Sequence, residues 1–178
     1  LRPAAIYVTG GSNYTFVGNG RIQDQQGGAT ALGKDGPGEL TLGTTNSFSG
    51  GIVVSNGLLV AGVSGALGGG PVTLLGGPLA LAAPMTVTNT VALLAPTVVV
   101  DDRGNAVTLS ALVSGPGQLV KSGGGTLTLG VANTYTGGTV ISAGTVRQAV
   151  PGALGAAPGS IILGDASSGT NMVAWRFA

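Results

Sequence analysis

The sequence of 178 residues contains no cysteine and no histidine. Without them the chain lacks disulfides, most kinds of zinc site and the usual serine or cysteine catalytic groupings. The absence of thiols also suits a chain that crosses an oxidising compartment before it folds. Because the acidic residues are dispersed as well, we predict no catalytic residue, no cofactor and no metal site.

Charge and aromatic content are also low. Charged residues make up 7% of the chain, aromatic residues make up 4%, and the net charge is +1. An average globular protein has roughly 25% charged residues. A chain without a basic stripe and with few aromatic side chains is not expected to bind nucleic acid. The longest apolar run, Val91–Val100, is about half as long as a membrane span and contains Pro96, so we expect that this segment does not cross a membrane.

Glycine is abundant, with 35 residues. It separates short runs rich in Val, Leu and Thr, which is typical of many short β-strands joined by tight turns. Ala149–Ala157 has some helical character, but its prolines and glycines disfavour a helix. The runs that we interpret as strands include Ala5–Thr9, Tyr14–Val17, Glu39–Leu42, Ile52–Ser55, Leu58–Val60, Pro71–Leu75, Thr86–Thr88, Thr97–Val100, Ala106–Leu109, Gln118–Lys121, Thr126–Leu129, Thr139–Ser142, Thr145–Arg147 and Ser160–Leu163.

The chain repeats itself at an offset of 87 residues. Residues 34–71 align without a gap with residues 121–158, and 19 of the 38 aligned positions are identical. Such self-similarity predicts a repeat architecture. A sandwich of hairpins has about seven longer strands and needs no internal repeat. The sequence therefore favours an all-β parallel β-helix of about eight coils of about 22 residues each, in which the repeat offset corresponds to four coils.

This geometry has consequences for the repeated residues. Equivalent residues such as Phe48 and Tyr135 are expected about four coils, or roughly 19 Å, apart and so cannot touch. Each repeated glycine must then serve a local need, such as a positive φ or a close backbone approach. In Glu39–Leu42 and Thr126–Leu129, we expect the leucines to point into the solenoid and the threonines to point out.

Two segments, Leu32–Gly57 and Leu119–Gly144, share one motif. It reads apolar-x-Lys-x-Gly-x-Gly-x-Leu-Thr-Leu and continues as Asn-x-aromatic-x-Gly-Gly-x-x-Val-x-x-Gly. This motif resembles the passenger-associated β-strand repeat of bacterial autotransporters and related giant surface proteins. The resemblance implies a right-handed parallel β-helix that is exported and displayed at the cell surface, with no catalytic residue in the repeat.

One stretch is similar to a phosphate-binding loop. Gly28–Lys34 matches that pattern for seven positions, but Asp35 then replaces the Ser or Thr that holds magnesium. Lys34 also has an equivalent in the second copy, Lys121, which follows Val120 and not glycine. We therefore assign Lys34 to the scaffold and predict no nucleotide site.

The residues that do not repeat are the first places to look for an individual function. Asp101 and Asp102 lie in an Asp-Asp-Arg-Gly-Asn stretch that is typical of a solvated turn between two strands. Adjacent strand residues face opposite ways, which disfavours a working acid pair. Arg147-Gln148 stands where the first copy has Val60-Ala61, so we expect the two copies to have different surroundings on that side.

From these observations we expect one β-helical segment over residues 1–178, part of a longer chain, with repeat units at about 34–77 and 121–165. The first functional hypothesis is a structural scaffold or stalk of an extracellular bacterial surface protein that supports passenger secretion, display or self-assembly. The second is an adhesin that binds carbohydrate or a host surface, and the third is a polysaccharide-active enzyme centred on Asp101 and Asp102. The expected partners are another solenoid end or the continuing chain, or a carbohydrate or cell-surface ligand.

Overall fold

Short strands dominate the structure, a computed structural model that describes residues 2–166, 168 and 173–177. These residues form 19 strands, and no helix among them has the length and apolar character needed to cross a membrane. The strands are β1 (Ala5–Val8), β2 (Tyr14–Phe16), β3 (Ala31–Lys34), β4 (Glu39–Leu42), β5 (Ile52–Val54), β6 (Leu58–Ala61), β7 (Val72–Leu74), β8 (Leu79–Leu81), β9 (Met85–Val87), β10 (Val91–Leu93), β11 (Thr97–Asp101), β12 (Ala106–Leu109), β13 (Val113–Ser114), β14 (Gln118–Ser122), β15 (Thr126–Leu129), β16 (Thr139–Ile141), β17 (Gly144–Gln148), β18 (Ile161–Leu163) and β19 (Val173–Phe177).

The strands stack into three sheets. Sheet A contains β1, β3, β5, β7, β10 and β13; sheet B contains β2, β4, β6, β8, β11, β14, β16 and β18; sheet C contains β9, β12, β15, β17 and β19. The strand pairings within the sheets are parallel. The chain therefore winds into a solenoid of about seven turns, which confirms the predicted all-β parallel architecture.

The number of turns is slightly lower than the expected eight. Most turns are a little shorter than the predicted coil, as the pairing of Leu119 with Thr139 shows. The turns at the two ends are longer, since Ala5 pairs with Ala31 and Val146 pairs with Trp175. These longer end turns use residues that a uniform coil length would have placed in another turn.

The interior is filled by stacked aliphatic side chains. Leu40, Leu59 and Leu79 are paired on successive turns of sheet B, and all three are buried. In β4 and β15 the leucines point inward and the intervening threonines lie half-buried outside, as predicted. Burying one such leucine contributes about 1.5–3 kcal/mol. The ladders of the solenoid therefore carry most of its cohesion.

Five short strands were not among the sequence-based strands named above: β3, β8, β10, β13 and β19. Strand β3 contains glycine and lysine, β8 and β13 have two to three residues beside proline or glycine, and β10 has three residues inside a longer apolar run, so the local pattern of these four is weak. Strand β19 has five residues and none of these features. Their pairing partners on adjacent turns supply what propensity does not. The apolar run Val91–Val100 is divided between β10 and β11, which lie on different sheets. Ala149–Ala157 contains a turn at residues 151–154 and no helix.

The two repeat copies do not lie on the same sheets, which corrects the expectation of four whole coils. Four turns along sheet A lead from Leu32 through Ile52, Val72 and Val91 to Val113. The chain then continues onto sheet B, where Leu119 is the repeat equivalent of Leu32. The repeat offset is therefore four turns and part of a fifth, because the turns between the copies are shorter than the predicted coil.

This rotation explains why the copies differ at one pair of positions. Val60-Ala61 lies in sheet B between two neighbouring strands and is buried. Arg147-Gln148 lies in sheet C, where Arg147 is exposed. The predicted difference in surroundings is thus present, and it arises from the change of sheet.

Candidate functional site: a turn clamp in each repeat

The repeat lysine of the second copy points into the solenoid and is fully buried. Its Nζ donates hydrogen bonds to the carbonyl oxygens of Ser122 at 2.9 Å and Gly123 at 2.6 Å. These two residues directly follow Lys121 in the chain and belong to the same turn of the solenoid. The Nζ also donates to the carbonyl oxygen of Ala143 at 2.8 Å, one turn of the solenoid further on. The ammonium group therefore clamps two successive turns together, and Asp102 Oδ2 lies 2.8 Å from it.

The first copy has the same clamp without the carboxylate. Lys34 is buried, and its Nζ donates to the carbonyl oxygen of Gly36 and, at 3.1 Å, to that of Asn56. Asn56 stands at the same distance along the chain from Lys34 as Ala143 does from Lys121. In the described part of the chain, no carboxylate lies within 4.0 Å of the Lys34 ammonium group. Backbone carbonyls are thus the feature that the two sites share.

Burial has the same electrostatic direction at both sites. It lowers the pKa of Lys34, and the charge of Asp35 opposes this change. Burial also lowers the pKa of Lys121, while the hydrogen bond and charge of Asp102 oppose this change. A buried ammonium group costs free energy unless its protons are hydrogen-bonded, and here the turn carbonyls provide those bonds.

Asp102 is buried, which corrects the expectation of a solvated Asp-Asp turn. Its Oδ1 accepts hydrogen bonds from the backbone N–H groups of Gly104 and Gly125, each at 3.0 Å. Asp101 faces the other way and accepts from the N–H of Arg103 at 2.8 Å. The predicted turn is present, but the carboxylate of Asp102 faces the ammonium group of Lys121 inside the solenoid. No carboxylate pair therefore faces a substrate there.

Two repeated glycines allow the clamp to close. Gly57 has φ of +68° and Gly144 has φ of +70°. A Cβ on Gly57 would overlap the Gly36 carbonyl oxygen and Lys34 Nζ. A Cβ on Gly144 would overlap the carbonyl oxygen of Gly125. These positions therefore require glycine both for backbone conformation and for space, as expected for residues that recur with the repeat.

The repeated asparagines join three turns. Asn46 Oδ1 accepts from the N–H of Ile22 at 2.9 Å, and its Nδ2 donates to the carbonyl oxygen of Ala66 at 2.7 Å. In the second copy, Asn133 Oδ1 accepts from the N–H of Val113 at 2.7 Å. Its Nδ2 donates at 2.6 Å to the carbonyl oxygen of Ala153, the equivalent of Ala66. Each side chain thus replaces two backbone hydrogen bonds that the irregular segments cannot make themselves.

The repeated aromatic residues are buried next to these asparagines. Tyr135 is fully buried, and its hydroxyl group lies 2.6 Å from Thr139 Oγ1. Burial raises the pKa of Tyr135 to about 12, although the Thr139 hydrogen bond acts in the opposite direction. The first copy has Phe48 and Ile52 at these two positions, both buried. The hydroxyl and its partner are therefore present together or absent together.

Lys34 lies at the end of a strand of the solenoid. Residues 31–34 form strand β3 and not a phosphate-binding loop, and the ammonium group is occupied by carbonyl oxygens. Sequence reasoning missed the bridging role of Asn46 and Asn133, although their recurrence was visible. Within the described ranges there is no group of three or more Asp and Glu residues that could hold a metal ion. Chemically, the hydrogen bonds of the site hold successive turns of the solenoid together.

The same segments match a known family. Residues 32–61 and 119–147 match the family model of the passenger-associated-transport repeat. Over 172 residues, the chain is 33% identical to the Adhesin BmaC autotransporter of Brucella suis biovar 1 (strain 1330). This alignment covers 81% of the present chain but 4% of the relative, so the chain spans a small part of that protein's length. No solved structure matches the chain.

Proposed function

Since the chain belongs to the passenger-associated-transport-repeat family, we propose that it is a scaffold segment of an extracellular bacterial surface passenger. In this role residues 1–178 form one stretch of a rod that supports whatever lies beyond it. The observation that carries the proposal is the buried lysine clamp, which occurs in both repeat copies and ties one turn to the next each time. The residues that repeat are used for cohesion between turns.

The rotation of the copies supports a mechanical role. The first clamp lies where sheet A leads to sheet B, and the second lies where sheet B leads to sheet C. The solenoid is thus held at two different corners of its cross-section. A rod that is held at different corners resists separation of its turns on more than one side, because each turn contacts only its neighbours.

The outermost strands provide a proposed contact for another solenoid turn. Tyr14 and Val17, near the first strand of sheet B, and Ile161–Leu163, which form the last one, are exposed apolar residues. We expect these edges to pair with a further turn of the same chain or with a second copy, because unpaired strand edges favour association. Light scattering across a concentration series tests this idea. A monodisperse monomer at high concentration would contradict pairing between copies.

The scaffold proposal is tested by removing both clamps in the parent surface protein. We expect Lys34→Met with Lys121→Met to reduce the amount of protease-resistant passenger at the cell surface, because two buried carbonyl clusters lose their donors. Arg147→Met is the matched control, since Arg147 is an exposed cation in a strand. Equal display and equal protease resistance in the double variant and the control would contradict the proposal.

A surface-contact role is the second candidate. The relative is named an adhesin, and the outer face of sheet A differs from those of the other sheets. Exposed large apolar side chains lie along sheet A at Tyr7, Val53, Leu75, Leu94 and Leu112. On sheets B and C, among the described residues, such side chains occur only in or beside the outermost strands. Reduced binding of a Leu75→Ser, Leu94→Ser variant to host cells would support this role, and unchanged binding would contradict it.

A catalytic role has the least support. Asp102, one half of the only adjacent acid pair, is buried against Lys121 and cannot reach a polysaccharide. The family match and the adhesin relative also favour a non-enzymatic role. We therefore propose that the chain has no catalytic, cofactor or metal-binding residue. Polysaccharide cleavage that is lost in an Asp101→Asn variant would overturn this proposal.

A further inference from the structure

We propose that a groove on the outer face of sheet A binds a neutral saccharide. The groove lies across strands β1, β3 and β5 and has a volume of about 380 Å³. Its floor is built from side chains that point outward on three consecutive turns. The inference deepens the surface-contact role and rests on it for location outside the cell, whereas the ligand class comes from the groove itself.

The first row of the groove consists of Tyr7, Gly33 and Val53, which are paired across the three strands. Tyr7 is 77% exposed, and a Cβ on Gly33 would lie 2.9 Å from its ring carbon Cδ1. The ring therefore lies over the glycine, where a side chain would lift it away from the sheet. An aromatic ring held in this way offers a rigid apolar platform at low conformational cost.

The second row consists of Thr9, Asp35 and Ser55, which follow the same strands two residues further on. The N–H of Asp35 donates to the carbonyl oxygen of Val8 at 2.9 Å, and the N–H of Ser55 donates to that of Lys34 at 2.8 Å. The register of the sheet thus continues through this row. Neighbouring side chains in a row are about 4.8 Å apart, and the two rows are roughly 6.6 Å apart.

The polar groups of the second row are available to a ligand. Among the described residues, neither hydroxyl group nor the Asp35 carboxylate makes a side-chain hydrogen bond or an ion pair with the protein. The Asp35 carboxylate can accept hydrogen bonds from the hydroxyl groups of a sugar. The hydroxyl groups of Thr9 and Ser55 on either side of it can both donate and accept hydrogen bonds. A groove with an apolar platform and a few convergent polar groups is the usual composition of a small-molecule site.

The charge of the groove selects the class of saccharide. Asp35 is the one charged side chain on the outward rows formed by Tyr7, Thr9, Gly33, Val53 and Ser55 around it, since Lys34 points into the solenoid. An unpaired carboxylate repels phosphate, sulfate and sialic acid carboxylates. A sugar ring places its C–H groups on the tyrosine and its hydroxyls towards Asp35, so a neutral saccharide satisfies both rows.

A glycan array probed with the 178-residue chain tests the proposal. The array carries neutral, sialylated and sulfated glycans, and we expect binding to at least one neutral glycan. Tyr7→Ala and the nearly isosteric Asp35→Asn should each weaken that binding about tenfold or more, because both rows contribute. Phe177→Ala is the control, since Phe177 is an exposed aromatic residue of sheet C outside this groove.

A second measurement locates the bound sugar. The neutral oligosaccharide that binds best on the array is titrated into the chain, and the backbone amide signals of Gly33 and Ser55 should shift in the NMR spectrum. The proposal would be overturned if the chain bound no neutral glycan or preferred anionic glycans. It would also be overturned if the Tyr7→Ala and Asp35→Asn variants bound as tightly as the wild type. If host cells are still bound equally by those two variants but not by the Leu75→Ser, Leu94→Ser variant, the surface-contact role stands and the saccharide site is wrong.

Discussion

The two repeat copies use the same clamp in different surroundings. In both, a buried lysine donates to carbonyl oxygens of its own turn and of the next turn of the solenoid. Lys121 also has Asp102 at 2.8 Å, whereas no described carboxylate lies within 4.0 Å of Lys34. The comparison teaches that the turn carbonyls determine the need for lysine, and that the carboxylate is an addition in one copy.

A second difference follows the same logic. Tyr135 has a buried hydroxyl group with Thr139 as its partner, and Phe48 has neither the hydroxyl nor a polar residue at Ile52. A buried hydroxyl without a partner costs about 1–3 kcal/mol. The polar pair must therefore change as a unit, and the two copies are two solutions to the same packing problem.

The largest expected effect is a difference in unfolding free energy between the Lys121→Met and Lys34→Met variants. Lys121→Met leaves the Asp102 carboxylate buried without its cation and should lower the free energy of unfolding by about 3–5 kcal/mol. Lys34→Met leaves carbonyl groups without a donor and should cost about 1–3 kcal/mol. Urea unfolding of the two variants measures the difference. A greater loss in Lys34→Met would contradict the account of Asp102.

A control within this experiment uses the partner residue. Adding Asp102→Asn to Lys121→Met removes the uncompensated charge and should recover part of the lost stability. If the stability loss of the double variant equals the sum of the losses of the two single variants, Lys121 and Asp102 are not energetically coupled. The ion pair would then not distinguish the two copies.

The asparagines should behave alike in the two copies. Asn46→Ala and Asn133→Ala each leave a buried N–H and a buried carbonyl oxygen without their partners, which costs about 2–4 kcal/mol in either copy. Urea unfolding again measures the loss, and Asn105→Ala in a turn provides a comparison. Values that differ between the copies by more than about 1 kcal/mol would show that the bridges are not equivalent.

Alkaline pH should separate the copies through their aromatic residues. Because the folded-state pKa of Tyr135 is about 12 and its ordinary value is 10.0, the folded chain holds the phenol proton more tightly than the unfolded chain. The resulting stability is present below pH 10 and is lost as the pH rises towards 12, by about 3 kcal/mol. The difference in unfolding free energy between the wild type and Tyr135→Phe, measured from pH 9 to pH 12, isolates this loss from the titration of the lysines. A difference that does not change with pH would contradict the buried phenol.

The smallest effect is expected when the second copy is given the residues of the first. Tyr135→Phe with Thr139→Ile should change stability at neutral pH by less than about 1.5 kcal/mol, because it exchanges one packed arrangement for another. Thr139→Ile alone strands the tyrosine hydroxyl and should be the less stable variant. Thermal unfolding of the single and double variants decides between these expectations.

Much of the fold was predictable from the sequence. The alternation in Glu39–Leu42 and Thr126–Leu129 indicates which side chains face inward, and the repeat predicts a solenoid. The rotation between the copies was not predictable, because it depends on the lengths of the individual turns, which are set by the register between strands. Short strands such as β8 and β10 exist through pairing with adjacent turns, which a local pattern does not reveal.

The site was predictable in its members but not in its contacts. Lys34, Asn46 and Gly57 and their equivalents stand out because they recur. Their partners are backbone groups of neighbouring turns, which have no signature in the sequence. Asp102 lies beside Gly123 on the preceding turn of the solenoid. In the first copy, the residue in the same position beside Gly36 is Gly10, so no carboxylate is present there. The burial of Asp102 therefore had no sequence signal beyond its position one turn before Lys121.

Hydrogen exchange at two backbone amides in each repeat copy tests the clamp most directly. Ser142 and Thr145 donate to the carbonyl oxygens of Lys121 and Gly125, and Ser55 and Leu58 make the equivalent bonds in the first copy. In Lys121→Met we predict faster exchange at Ser142 and Thr145 with unchanged exchange at Ser55 and Leu58, and the reverse pattern in Lys34→Met, because a solenoid turn contacts only its neighbours. Wild-type protection at Ser142 and Thr145 in Lys121→Met, or an equal loss at all four amides, would contradict the account.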